Sequence, residues 1–200
     1  MPPTTVTDPI AELVADRERA RASTDPFTDL CILATADAAG AVGVRTIVLR
    51  DVGPQGVGLL ISATSPKWGP LTAGRAECLL VWLSIRRQYR VRGRLEPMPE
   101  ARVAEYWRQK SHESRLLDAY YAEHQPQSSP IASRETFLDG IGALRQQYPS
   151  PEQVPRPAAL SGVYLVPRRI EAWRGAPDRL HDRRLFERAE EGWREAVLIP

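Results

Sequence analysis

Near the end of the chain, Arg179, His181, Asp182 and Arg183 put two guanidinium groups, an imidazole and a carboxylate within five residues. Trp173, Arg174 and Gly175 come just before them, closing a strand-like run. His181 is one of three histidines in 200 residues. On an extended backbone alternate side chains share a face, so Arg179, His181 and Arg183 are expected in one row. Such a row suits a bound anion or an electron-rich ring better than it suits a core.

Other segments could also grip a ligand. Arg45 and Arg50 bracket one strand-like stretch. Ser65-Pro66-Lys67 opens a short helical stretch, and helix N-termini offer free N–H groups to anions. Read alone, that triplet is more simply a solvated lysine beside a cap serine. Gln88, Arg90, Arg92 and Arg94 alternate along one strand. The arginines read as a polar outer face, whereas Gln88 could read a ligand amide or carbonyl. Tyr89 lies on the opposite face, so the stacking platform of a single-strand nucleic-acid binder is not built. Tyr106, Lys110 and Ser114 are four apart and share a helix face if helix continues through them. The plainer reading there is an amphipathic surface helix. His112 and His124 lack partners at a metal-ligand spacing, and no metal site is expected.

Composition sets the background. Two hundred residues can bury roughly 70% of the unfolded surface, so no staple is required. Cys31 and Cys78 are isolated thiols, which suits a reducing compartment. No apolar run approaches the roughly 20 residues of a membrane span, and a soluble cytoplasmic protein without membrane contact is expected. A net charge of +2 argues against general nucleic-acid binding. Only Lys67 and Lys110 among the 27 basic residues are lysines.

The elements that must carry these groups read as follows. Asp8-Pro9 caps a first helix reaching toward Arg21. Strands are expected at 30–36, 42–51 and 56–62, then a short helix at 66–73. A strand pair follows at 77–83 and 87–95. Pro99 opens a helix, and Ser129-Pro130 caps a second with Phe137, Ile141 and Leu144 at helical spacing. Four prolines in Tyr148–Pro157 make a connector. Strands resume at 162–166, 169–173, 184–187 and 193–198. The class is α+β: a mostly antiparallel barrel or closed sheet with peripheral helices.

Taken in order, these segments resemble the pyridoxamine 5'-phosphate oxidase family from about Asp25 to Pro200. The carriers are Arg45-Thr46-Ile47-Val48-Leu49-Arg50, Ser65-Pro66-Lys67, Arg87–Gly93, Gln127-Ser128-Ser129, Ile170–Trp173, Arg179–Arg183 and the closing Leu198-Ile199-Pro200. The Arg-Leu-His-Asp-Arg motif, with a tryptophan six residues upstream, is the most specific of them. The resemblance implies an FMN-binding split β-barrel over 25–200, preceded by a helix and arm over 1–24. It also implies a homodimer with FMN at the subunit interface.

By position, the resemblance assigns Arg45, Arg50 and Lys67 to the FMN phosphate and ribityl chain. Thr46, Ile47, Val48, Leu49, Leu60, Ile61, Ser65 and Pro66 would line the cofactor, and Gln88 would meet its ring. Gln127, Ser128, Trp173 and Arg183 would complete the site from the neighbouring subunit. Tyr106, Lys110 and Ser114 would hold a substrate phosphate. Arg50, Arg179 and His181 would face the substrate, the last two as catalytic residues over the reacting ring. The implied reaction is hydride transfer from a pyridoxamine or pyridoxine 5'-phosphate to FMN, with reoxidation by O2.

Departures from the family pattern gather on the substrate side. Arg50 stands where the family has lysine, Lys110 where it has arginine, and Arg115 where it has glutamine. Before the late strands, Leu160-Ser161-Gly162 replaces a tryptophan-glycine-glycine stretch, and no substrate-covering arm is recognisable before Asp8. The pattern therefore also resembles the phenazine-biosynthesis oxidases of the family, which act on another ring. A non-catalytic split barrel holding flavin or nucleic acid is the third reading.

Overall fold

Alternating apolar residues and tight turns give this chain an antiparallel sheet. The computed structural model describes residues 8–200. The expected arm thus lies largely outside the described residues. Among the described residues nine strands form one sheet: β1 (Leu30–Ala36), β2 (Val42–Val48), β3 (Asp51–Gly53), β4 (Gly56–Ser62), β5 (Ala76–Trp82), β6 (Arg87–Pro97), β7 (Leu160–Arg174), β8 (Asp182–Arg188) and β9 (Trp193–Val197). Five described helices accompany them: α1 (Pro9–Ala22), α2 (Trp68–Thr72), α3 (Glu100–Arg108), α4 (His112–Glu123) and α5 (Arg134–Gln147). The α+β class with a mostly antiparallel sheet is as expected.

The chain divides into two compact units. The first comprises residues up to Leu59, Pro70–Glu96 and Tyr164–Pro200; the second comprises Leu60–Gly69 and Pro97–Val163. In the sheet the strand order is β2-β1-β5-β6-β7-β4-β3, with β8 on β7 and β9 on β8.

The first unit buries one face of its strands. Cys31, Leu33, Cys78, Leu80, Trp82, Tyr89, Val91, Ile170 and Phe186 are all buried. On the other face of edge strand β2, Val42, Val44 and Val48 stay exposed. The two faces follow from side-chain alternation. Turns set the register. Asp37 Oδ1 accepts from the Ala39 and Ala41 N–H groups, each at 2.9 Å, between β1 and β2. Helix α1 docks by polar contacts as well as by Leu13. Its fully buried Asp16 accepts from Tyr89 Oη at 2.6 Å and Arg87 Nε at 2.8 Å.

Sequence and structure part at several places. The stretch 42–51 is not one strand. After Val48 the chain leaves β1, with the Leu49 N–H bonding Asp29 O and the Arg50 N–H bonding Gly58 O. The two strands expected around Pro167 are one, 15-residue β7. A β-carbon at Gly93 would collide with the Val166 carbonyl, and one at Gly56 (φ +111°) with that of Leu165. Bare glycine on these two segments therefore lets a proline-bearing strand pass.

Helix does not continue from Tyr106 to Ser114: α3 stops at Arg108, and Ser111 caps α4 through the Ser114 N–H. The Arg115 guanidinium donates to the Arg108 carbonyl at 2.6 Å, to that of Lys110 at 3.2 Å and to that of Pro151. It thereby takes up carbonyls at the broken end of α3. The last helix begins at Arg134, capped by Ser133 rather than Ser129.

The second unit has its own core of Trp107, Leu116, Ala119, Tyr120, Leu144, Val154 and Leu160. Tyr120 meets Phe137 edge-on with ring centroids 5.0 Å apart.

Candidate active site

Trp173 on β7 stands directly opposite Arg183 on β8. Glu171, two residues earlier, shares their face. Strand β6 flanks β7 on the other side, and Arg90 Nη1 donates to Glu171 Oε2 across that seam at 3.2 Å. Gln88 lies two residues from Arg90, so it shares this face too. Three residues from separate segments, Gln88, Trp173 and Arg183, therefore lie on one sheet face, each half-buried. Arg183 is held at two points, by Nε to Glu171 Oε1 at 2.9 Å and by Nη1 to the Ile199 carbonyl at 3.3 Å.

The expected row of Arg179, His181 and Arg183 does not form. Strand β8 begins at Asp182, and the preceding residues turn instead. Two bonds within the turn and one to the β5–β6 connection cause this. The Gly175 N–H reaches Arg86 O at 3.0 Å, the Arg179 N–H reaches Ala176 O at 3.2 Å, and the Leu180 N–H reaches Asp178 Oδ1 at 3.0 Å. Arg179 adopts φ +67°, a left-handed conformation that costs a non-glycine residue about 1–2 kcal/mol. Its side chain is exposed.

His181 folds back onto this turn. Its Nδ1 accepts the Ala176 N–H at 3.0 Å, and its ring packs 4.7 Å from that of Trp173. With Nδ1 accepting, the neutral imidazole carries its proton on Nε2. The turn thus offers one fixed N–H donor and one exposed guanidinium.

In the same unit, Arg45 Nη1 donates to Leu33 O, Thr35 Oγ1 and Gly43 O at 3.1, 2.7 and 3.0 Å. Thr46 and Val48 point to the exposed face, Ile47 is half-buried and Leu49 is buried. Arg50 sits half-buried where the chain enters β3, beyond the end of Arg45's strand.

The second unit gathers another set. Helix α2 begins only at Trp68, so Ser65, Pro66 and Lys67 form the turn before it. Lys67 and Ser65 are both buried. Lys67 Nζ donates to Ser65 Oγ and, at 2.6 Å, to Gln127 Oε1. The resemblance assigned Lys67 and Gln127 to opposite protomers; here they meet within one chain. Ser128 adopts φ +71° beside Gln127. Leu60 and Ile61 end β4, the first against the unit's core and the second buried.

Tyr106, Lys110 and Ser114 do not share a helix face, because of the break described above. Buried Tyr106 accepts from Arg102 Nη2 at 2.6 Å. Lys110 pairs with Asp118 and lies 5.8 Å from the Trp107 ring centroid. Ser114 packs onto Ser111, with their hydroxyl oxygens 3.0 Å apart.

Three residues of these clusters escape a reading of the sequence. Asp118 and Tyr121 follow Ser114 by four and seven positions, the spacing of one helix face. Burial, then the Asp118 charge, pushes the Tyr121 phenol up, against a hydrogen bond with Gln127. Glu171 carried a signal as well, since it precedes Trp173 by two in a strand.

Comparison with known proteins decides the family. The chain is 37% identical over 195 residues to a pyridoxine/pyridoxamine 5'-phosphate oxidase of Novosphingobium aromaticivorans, covering 96% of this chain and 94% of that protein. The chain belongs to the pyridoxamine 5'-phosphate oxidase family. A namesake from Anaeromyxobacter dehalogenans is 33% identical over 201 residues, with 100% and 99% coverage. Residues 161–200 match the family model described as the pyridoxine 5'-phosphate oxidase C-terminal dimerisation region.

Among solved structures, PhzG from Burkholderia lata 383, in complex with tetrahydrophenazine-1-carboxylic acid, superposes with a TM-score of 0.85 at 27% identity, covering 98% of this chain and 95% of that one. A pyridoxamine 5'-phosphate oxidase-related, FMN-binding protein of Nostoc punctiforme gives a TM-score of 0.71 at 20% identity, over 98% and 99% of the two chains. The expected split-barrel fold is thereby established.

Proposed function

We propose that this chain is an FMN-dependent oxidase that takes a hydride from a small ring substrate and passes the electrons to O2. One observation carries the reading: Trp173 and Arg183 share one sheet face beside the turn that fixes His181. The Gln88 amide, an indole and a guanidinium suit a flat ring edged with N–H and C=O groups. In the second unit, a buried ammonium with a hydroxyl and an amide around it suits a phosphate. The donor set thus fits FMN. Arg45, Arg50, Lys67 and Ser65 are assigned to its phosphate side and Gln88 to its ring, and Gln127, Ser128, Trp173 and Arg183 to the part of the site that the neighbouring subunit completes. Thr46, Ile47, Val48, Leu49, Leu60, Ile61 and Pro66 are assigned to the lining.

FMN, when bound, supplies the two-electron acceptor for the substrate's hydride and is reoxidised by O2 with release of peroxide. The protein's share is placement. His181 offers its Nε2–H to an oxygen or nitrogen of the substrate ring. The Arg179 guanidinium, held outward by the strained turn, pairs with an anionic group that the substrate already carries. With Nδ1 occupied and Nε2 protonated, His181 serves as a donor and not as the proton acceptor. Tyr106, Lys110 and Ser114 remain the candidates for a substrate phosphate, with pyridoxamine or pyridoxine 5'-phosphate as first substrate.

One observation favours a second substrate class. The Asp118 carboxylate already pairs with the Lys110 ammonium, which weakens the grip on a phosphate dianion. A ring carrying a carboxylate, of the phenazine-precursor type, suits that arrangement better.

We assign the working form to a homodimer. The support is the exposed valine row on edge strand β2, an unpaired apolar edge of the kind that pairing covers, together with the match to the dimerisation region. No described helix is long and apolar enough to cross a membrane, and the two free thiols suit a cytoplasmic location.

Turnover tests the reading. Protein reconstituted with FMN should convert pyridoxamine 5'-phosphate, or a dihydrophenazine carboxylate, with one peroxide per product. Failure with both rings, in protein that holds FMN, would reject the oxidase and leave a flavin carrier.

A further inference from the structure

We propose that Glu171 is the positioning residue that aims Arg183 and sets the charge the flavin ring meets. The inference rests on the reading that Arg183 contacts bound FMN. Glu171 is 6% exposed, on the same sheet face as Trp173 and Arg183. One carboxylate oxygen takes Arg183 Nε at 2.9 Å; the other takes Arg90 Nη1 at 3.2 Å. Arg90 and Arg92 both donate to Glu77 on β5. Charges therefore alternate Arg92, Glu77, Arg90, Glu171, Arg183 across β5, β6, β7 and β8.

Two consequences follow. Glu171 and the Ile199 carbonyl take Nε and Nη1 of Arg183. Among the described residues no hydrogen bond engages Arg183 Nη2, so this nitrogen is left for a ligand. The guanidinium fork is planar and rigid, so fixing two nitrogens fixes the third.

The second consequence is electrostatic. Two-electron reduction of a flavin with uptake of one proton adds one negative charge to its ring. Buried Glu171 opposes that charge, and Arg183 and Arg90 favour it. Glu171 thus keeps the arginines from over-stabilising reduced flavin, which must give its electrons up again. Low local dielectric makes such a charge count for more than it would in water.

The test is the midpoint potential of bound FMN in the holoenzyme, measured alongside FMN affinity and Tm. Glu171→Gln keeps an acceptor for one arginine and removes the charge. It should favour reduced over oxidised FMN about tenfold, a rise of about 30 mV for a two-electron couple. Glu171→Asp should restore the wild-type value. Glu77→Gln cuts the same ladder without touching Arg183 and should leave the ratio within about twofold. Arg90→Gln, a second probe if Glu171→Gln does not fold, should move the potential down.

Equal shifts in Glu77→Gln and Glu171→Gln, or none in Glu171→Gln and Arg90→Gln, would overturn the assignment and leave Glu171 a structural brace. A wild-type chain that takes up no FMN would instead sink the flavin reading itself, and this inference with it.

Discussion

His181 illustrates how one backbone contact decides a side chain's chemistry. The Ala176 N–H occupies Nδ1, so the ring meets a substrate through Nε2–H alone. A hydrogen bond to a charged group contributes about 1.5–3 kcal/mol, so His181→Ala should slow turnover roughly 10- to 100-fold while FMN stays bound. Arg183→Ala should do the reverse first, weakening FMN retention, which gel filtration followed by flavin absorbance reads. Asp118 gives a third residue-scale prediction. Asp118→Asn frees the Lys110 charge, and kcat/KM should move toward phosphorylated rings and away from carboxylated ones. A ratio unchanged by Asp118→Asn would remove Lys110 from the substrate site.

At this scale the motifs were legible and their partners were not. Arg179, His181 and Trp173 stand out as types in an order that few folds need. Glu171, Asp118 and Tyr121 matter because of what lies across a strand seam or along a helix face. The row expected of Arg179, His181 and Arg183 failed for a local reason: a turn with its own hydrogen bonds outcompetes extension.

At the scale of elements, the ladder on β5 and β6 makes stability depend on pH. Burial alone would raise the Glu77 carboxyl, but hydrogen bonds and charge from Arg90 and Arg92 outweigh it and hold it below its ordinary 4.5. The folded value is depressed. The pair's contribution is therefore complete above the unfolded value and is lost as pH falls through the folded one. Urea midpoints should fall on acidification below about 4.5, and Glu77→Gln should flatten that limb. A limb of unchanged steepness would show that other carboxylates carry it.

Strand β7 supplies the other element-scale test. Gly93→Ala places a β-carbon against the Val166 carbonyl and should destabilise by about 1–3 kcal/mol, as overpacking does. The strands over 30–36 and 56–62 were legible to the residue, since turn residues bound them. The continuity of β7 through Pro167 was not, because it depends on bare glycines in other segments. The break between α3 and α4 escaped too, since the Arg115 side chain that caps it comes later in the chain.

For the whole molecule, the family and fold were legible because the motifs kept their order over nearly the full length. Composition alone would not have named them. Assembly also belongs to this scale. Val44→Asp puts a charge in the centre of the exposed β2 row and should shift a dimer to monomer in sedimentation, with loss of bound flavin. A monomeric wild type would refute the proposed assembly and, with it, a flavin site completed by two protomers.

The most direct measurement is an anaerobic titration of the FMN-loaded protein with pyridoxamine 5'-phosphate, followed by admission of air. The yellow chromophore should bleach with this ring or with a reduced carboxylated one, and its colour should then return with release of peroxide. A protein that binds no FMN, or whose flavin neither ring reduces, would contradict the oxidase reading.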